Sequence, residues 1–587
     1  MVHLFSSFRT GFILVLIFLF FKAQSQISGT VTINSASATA GSNYQSFSDL
    51  AAVLNSVGIN APLTVNVVSG SGPYIEQPVF NQIAGASASQ TITFNGNNCV
   101  LSYSANNSNS PWTLALNGTD YCHFNKLMIE GQGQTYAKVC VLYSGANNNS
   151  FSACSFSCPA GGTSFNHYAL GIVQTYTAVY GTGPLGNHNT FQNCDFYNGY
   201  YGCVNSCSTN IIGSVGNKFL KCNFIDFYAF GAYFSSADSL TIFGNHFSRT
   251  NRTNHPGSLY AVYLNNTANV ICNTNCIYDL GGASVSPTVN CSGIYSYGSS
   301  SLVTQDRHVY ANNQISQINS ASSIFGMFCY DLPANIMHNT VLLNDQTSNS
   351  PNQSCAYYIY HSAQQDSLRF LNNIASITRT GTGVKYCVYF NTGNKKRINH
   401  NLYHMGSVAG TNYTGYFLGA WSSLALLQTQ GIDANSFSVN PAILSTSPCS
   451  LVPTNNGFDN GGTAMGVTDD ALGMLRNMTT PDIGAIEFNT LPCNTLPTAN
   501  PIVSSASLVC ANGAASLSVA IQASTGITYQ WLSCTTGTAG PFLPIQNANT
   551  FSLQTTALPQ STWFKLVTTC TNPGGGSSSV VQLVQVP

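Results

Sequence analysis

The chain has 587 residues, a formal net charge of -1 and only 6% charged residues, against roughly 25% in an average soluble protein. Its 44% hydrophobic content can build a large core, which excludes a disordered chain, and the lack of any basic tract excludes an electrostatic footprint for nucleic acid. Asn, Ser, Thr and 51 glycines stand where charge would be, a composition suited to strands and turns rather than helices.

At the start of the chain, Arg9, the apolar run 11–21 and the exit Lys22-Ala-Gln-Ser-Gln have the basic, apolar, small-residue order of a secretory signal peptide, expected over 1–25. The run is shorter than the roughly 20 residues of a membrane span, and no later segment is long and apolar enough to span. Next, Ser46-Phe-Ser-Asp-Leu-Ala-Ala-Val-Leu54 carries a helix start signal and an apolar stripe.

A repeat then dominates. Phe230-Gly-Ala-Tyr233, Tyr260-Ala-Val-Tyr263, Ser292-Gly-Ile-Tyr295, Phe325-Gly-Met-Phe328, Tyr357-Tyr-Ile-Tyr360 and Tyr386-Cys-Val-Tyr389 share one template: aromatic, small, apolar, aromatic. Counted from Val204, the fourth positions recur at intervals of 29, 30, 32, 33, 32 and 29 residues. About twelve residues after most of them comes an Asn followed by an apolar residue, as at Asn245, Asn275, Asn339, Asn372 and Asn401. Short strands, fixed turns and one variable loop per unit are what a parallel solenoid needs, because a coil cannot bury its inner face alone. A buried Asn suits its tight turn, tolerating left-handed backbone and bonding to the coils above and below.

Strict alternation along the template strand places Phe230, Ala232 and Phe234 inside and Gly231 and Tyr233 outside. The outward row is then Tyr233, Tyr263, Tyr295, Phe328, Tyr360 and Tyr389, a shallow groove of aromatic faces and hydroxyls beside small residues. Such a row can stack on sugar rings; loops folded over it, or ring–ring stacking that only stabilises the strand, would account for it equally.

Twenty cysteines in an exported chain could form a disulfide framework, but Cys154, Cys194 and Cys222 sit in strand-like positions that suit buried stacking. Pairs at four-residue spacing, such as Cys272/Cys276, lack clustered His, so neither a metal nor any other cofactor is expected. Asp195, Asp226 and Asp279 follow second strands where loops begin, and Arg249, Arg252, His255, Asp306 and Arg307 are further loop residues. A polysaccharide hydrolase needs paired carboxylates, and a lyase a carboxylate-bound cation with Lys or Arg as base. These residues form no recognisable catalytic motif, so no catalytic residue is assigned.

Over roughly residues 60–420 the unit resembles the right-handed parallel β-helix repeat of pectate-lyase-like proteins. Residues 46–54 look like the helix that plugs such solenoids, and 72–79 and 83–94 are similar to the first coils of secreted β-helix proteins of Bacteroidetes-type bacteria. Asp433-Ala-Asn-Ser, Ser447-Pro-Cys-Ser, 469–476 and Pro481-Asp-Ile-Gly-Ala-Ile-Glu-Phe488 resemble that group's closing segment, with its usual Gly displaced to 473; Asp470, Arg476 and Asp482 there read as a capping salt-bridge network. After a linker, Cys510, Trp531 and Cys570 have the order of an immunoglobulin-like sandwich, resembling the Ig-like modules appended to secreted Bacteroidetes proteins, which implies a Cys510–Cys570 bridge.

The expected fold is therefore all-β, a right-handed parallel β-helix with a C-terminal Ig-like β-sandwich: signal peptide 1–25, β-helix with its caps 26–492, linker 493–501 and Ig-like domain 502–587. The expected role is secreted or at the outer cell surface, with non-catalytic adhesion to a polysaccharide or cell-surface glycan through the aromatic row. The alternative is a polysaccharide lyase or glycoside hydrolase. The sorting domain that often ends such proteins is not visible, which leaves open either a fragment or a further partner in the secretion or surface-anchoring machinery.

Overall fold

The computed structural model describes residues 25–586 except 178–184, 208–212, 285–286, 299–306, 331–332, 348, 362–367, 392–395, 489–492, 494, 520–526, 547, 550 and 572–573. The expected signal peptide lies almost wholly outside the described residues, as does Asp306.

The chain winds into an all-β parallel solenoid with three sheets of 13, 14 and 12 strands. Each coil passes from a strand of the 13-stranded template sheet, which holds Phe230–Ser235, round a first corner to the middle sheet (Thr241–Phe243). A second corner then leads to the return sheet (His246–Ser248), and a variable loop closes the coil. Successive coils keep register: Ala232 pairs with Val262 and Val262 with Ile294, while Tyr233 pairs with Tyr263 and Tyr263 with Tyr295. Like residues therefore stack. Inside, Phe94, Phe124, Phe151, Phe191 and Phe219 form one column of near-parallel rings, and Phe156, Phe196, Phe224 and Phe247 another.

Alternation fails at one template position, and it fails in coil after coil. Phe230 packs with Tyr201, Tyr233 and Tyr260 on the outward cluster, whereas Gly231 faces the interior, where an added Cβ would meet Phe247 and Phe227 side chains at 2.7 and 3.1 Å. The strand register skips this second position between coils, pairing Phe230 with Tyr260 and then Ala232 with Val262, Ser292 with Phe325 and then Ile294 with Met327. Two consecutive residues thus face inward, as at a bulge. The expectation that Phe230 builds the core and Gly231 faces out is corrected: the small residue is required inside. At Gly326 an added Cβ would lie 2.3 Å from Val341.

The second corner carries an asparagine ladder. Asn245, Asn275, Asn313, Asn339 and Asn373 each donate their main-chain N–H to the Oδ1 of the next, ending on Asn401, at 2.9–3.0 Å. Each Nδ2 returns to a carbonyl one coil back, such as Cys272 O for Asn313. The residue ahead of each adopts left-handed backbone, so Asn372 (φ 58°) is the turn residue and Asn373 the ladder member. Upstream the ladder sits on the first corner instead, through Asn149, Asn189 and Asn217, and the second corner of those coils holds buried Cys154, Cys194 and Cys222.

Both ends are closed. The helix Phe47–Val57 is capped by Ser46, which accepts the Asp49 N–H, while the Glu76 carboxylate accepts those of Phe47 and Ser48 at 2.9 and 2.8 Å; a carboxylate there also complements the helix dipole. Phe47, Leu50 and Leu54 enter the core. At the far end the closing segment, residues 433–488, doubles back along the second corner. A Cys276–Cys449 disulfide fixes it to the return sheet, and His338 and Asn372 bond Asp482 O and Thr463 O.

Beyond it lie two antiparallel sheets of three and four strands around a core centred on the fully buried Trp531 with Leu517, Phe564 and Leu566. The bridge expected between Cys510 and Cys570 is not formed: Cys570 bonds Cys493, and Cys510 is an exposed free thiol. The chain ahead of the first strand is thereby held to the strand Thr562–Cys570. All other unbridged cysteines are buried.

Candidate functional site: an aromatic ladder on the template sheet

The outward face of the template sheet stacks Tyr233, Tyr263, Tyr295, Phe328, Tyr358, Tyr389 and Tyr416 in one column, with ring centroids 4.3–5.1 Å apart and planes within 8° of parallel. Five of the six residues named from the repeat belong to it. Tyr360 does not: Phe328 pairs with Tyr358, and Tyr360 instead continues a second outward column, Tyr297–Tyr330–Tyr360. The template in that coil is Cys355-Ala-Tyr-Tyr358, with Tyr357 fully buried. Residues two apart on a strand share a face, and this was the signal for the second column.

Stacking decides what the column can offer. Each ring covers the faces of its neighbours, so solvent meets ring edges and hydroxyls rather than open π faces. Burial pushes the Tyr295 and Tyr389 hydroxyls up to about 12, which keeps them neutral donors and acceptors. At its upstream end the ladder is covered. Tyr233 is only 7% exposed, against a cluster that includes Trp112, Tyr143 and Tyr201. Tyr263 to Tyr416 are partly open.

Of the loop candidates, Arg249, Arg252, His255 and Asp226 are brought together, but as a staple. The buried Arg249 donates to Phe227 O, Leu280 O and Asn254 O at 2.7–2.8 Å, and its neighbour Arg252 donates to Asp226 O and Asn254 Oδ1. His255, pushed down to about 4 by burial and the two guanidiniums, lies 3.2 Å from Arg249. Asp226 is held by Asn251, Asp195 by Asn223 and Asp279 by Thr250. In the closing segment Asp470 accepts N–H groups of Leu472, Met474 and Glu487, and Asp482 those of Asn460 and Phe488. The ion pair of Arg476 is with Glu487, at 3.0 Å, a partner not anticipated from sequence. Among the described residues no three His, Cys, Asp or Glu side chains gather as a metal site would require.

No family model and no curated protein matches the chain. Among solved structures it is similar to the Streptococcus pneumoniae surface protein and adhesin PfbA, at 12% identity and TM-score 0.33, covering 71% of this chain and 91% of that one. The Dettilon tailspike protein gp208 is similar at 9% identity and TM-score 0.34, covering 92% and 78%, and a rhamnogalacturonan lyase at 12% identity and TM-score 0.22, covering 73% and 86%.

Proposed function

We propose that the chain is an exported adhesion module that binds a polysaccharide or cell-surface glycan along the template sheet without cleaving it, with an Ig-like sandwich as its C-terminal module. The observation that carries this reading is the open run of the ladder, Tyr263 to Tyr416, flanked by Tyr297, Tyr330 and Tyr360. Neutral hydroxyls at coil spacing, set among apolar ring edges, match the mixed polar and apolar surface of a carbohydrate. The mode of contact differs from stacking on ring faces, since those faces are already covered. Polysaccharide cleavage finds less support, because the carboxylates described above are held by main-chain or side-chain donors.

The test is a panel of polysaccharides offered to the purified chain, with binding and product release measured together. Binding without release that falls in Tyr295→Ala and Tyr358→Ala supports the reading. Release of shortened products, or binding indifferent to both substitutions, overturns it.

A further inference from the structure

A cavity of about 710 Å³ opens elsewhere, on the outward face of the middle sheet. Its floor comes from successive coils in register, Phe243 beside Asn273 and then Ala311, with Val309 and Asn335 alongside. Its roof is residues 465–473 of the closing segment. The roof is fixed by Asn312, which donates to Asp469 O at 2.7 Å and accepts from Arg476 at 2.9 Å.

Three features of the floor point to one chemistry. Phe243 is 38% exposed and, unlike the rings of the ladder, stacks on no other ring among the described residues, its in-register neighbours being Leu220 and Asn273, so it offers apolar ring surface to a ligand. Asn273 uses its Oδ1 on the Ala311 N–H at 2.9 Å, which leaves its amide N–H groups to donate. Asn335 Oδ1 is buried with no partner among the described residues, an acceptor whose desolvation none of them offsets. The lining holds three charged side chains, Lys221, Asp469 and Asp470. Asp470 is taken by the N–H groups of Leu472, Met474 and Glu487, and Lys221 and Asp469 are of opposite sign, so the site favours neither anions nor cations.

We infer that this cavity binds a short, uncharged oligosaccharide. Exposed aromatic surface suits the C–H side of a pyranose, and amides that donate and accept suit its hydroxyls. The volume falls within the range of small-ligand sites, and three coil steps of about 4.8 Å from Phe243 to Met337 give room for about two or three sugar units. The site is separate from the ladder and stands or falls independently of it.

The test is calorimetric titration of the full chain with cellotetraose, xylotetraose, mannotetraose and the anionic tetragalacturonate. At least one neutral tetrasaccharide should bind. Phe243→Ala should weaken it about tenfold or more, the scale of one lost aromatic contact, and Tyr358→Ala should leave it unchanged. Phe243→Leu, which keeps apolar volume but removes the ring, should weaken it too with an unchanged melting temperature, separating lost stacking from misfolding. No neutral binding, binding indifferent to Phe243, equal binding of tetragalacturonate, or loss in Tyr358→Ala alone each overturns the inference.

Discussion

Between residues 94 and 247 the solenoid stacks its phenylalanines inside, whereas from Tyr233 to Tyr416 it stacks tyrosines and one phenylalanine outside. The geometry is the same in both columns, one ring per coil with planes nearly parallel. What differs is burial. Inner rings such as Phe191 and Phe196 are wholly enclosed and form the core, while downstream the same inner positions are taken by Ile242, Cys272, Tyr310 and Ile336. The corners change over the same stretch. Upstream coils place Asn on the first corner and Cys on the second; downstream coils place Leu240 or Val270 on the first and Asn on the second. One asparagine per coil is enough to satisfy the tight-turn main chain, and its position is free to switch provided neighbouring coils switch together.

The largest effect should come from the inner stack. Phe191→Ala removes a fully buried ring between Phe151 and Phe219 and should cost about 4 kcal/mol, whereas Phe328→Ala in the outer ladder should cost about 1 kcal/mol. Urea unfolding of the full chain measures both, and equal costs would break the contrast between core and surface columns. Next come the corners. Asn313→Ala removes the acceptor of the Asn275 N–H and a donor to Cys272 O and should cost about 3 kcal/mol. Cys194→Ala at the equivalent upstream corner removes only a small apolar group and a weak S–H donor, for about 1 kcal/mol. If the two cost the same, the ladder is not what holds the downstream corner.

A smaller effect concerns pH. His338 is held well below the usual imidazole range by burial and by the nearby Arg476 guanidinium. Its ring donates to Asp482 O and accepts from Asn372 Nδ2 at 2.9 Å; protonation abolishes the acceptance. A folded-state value below the unfolded one means stability is complete above about pH 6.5 and is lost as pH falls below it, by up to about 1.4 kcal/mol per unit. Melting curves from pH 7.5 to 5 should therefore show acid loss that His338→Gln reduces. The closing segment, clamped by this histidine, should become protease-sensitive before the upstream coils do.

What the sequence revealed follows from where the information sits. Residues that recur once per coil announce the solenoid, and Asn245, Asn275 and Asn339 could be picked out because each ladder member stands alone at its corner. The two-in-a-row inward step at Gly231 leaves no trace in the period, since it recurs in every coil, so alternation placed Phe230 on the wrong side. Tyr358 and Tyr360 are two residues apart on one strand and differ only in which ring lies one coil away. Similarly, Cys493, Cys510 and Cys570 cannot be paired from their order, because pairing depends on how the module packs. The cavity under residues 465–473 joins positions more than a hundred residues apart, which no local pattern carries.

The smallest structural effect belongs to the ladder itself, and it separates a scaffold from a binding surface most cleanly. Tyr358 lies between Phe328 and Tyr389 at centroid distances of 4.7 and 4.6 Å. Tyr358→Phe keeps both stacking contacts and removes only an edge hydroxyl, so stability should stay within about 0.5 kcal/mol of the parent. If the ladder serves only the fold, that substitution is silent in every assay. If glycans are held by the hydroxyl edge, polysaccharide binding should fall severalfold in Tyr358→Phe at unchanged melting temperature, the effect of one lost hydrogen bond. Tyr358→Ala should weaken binding further, with a stability cost of about 1 kcal/mol. Phe328 supplies the internal control, because it is the one ladder position without a hydroxyl: Phe328→Tyr adds a group to the row and should raise affinity, whereas a purely structural column would ignore it.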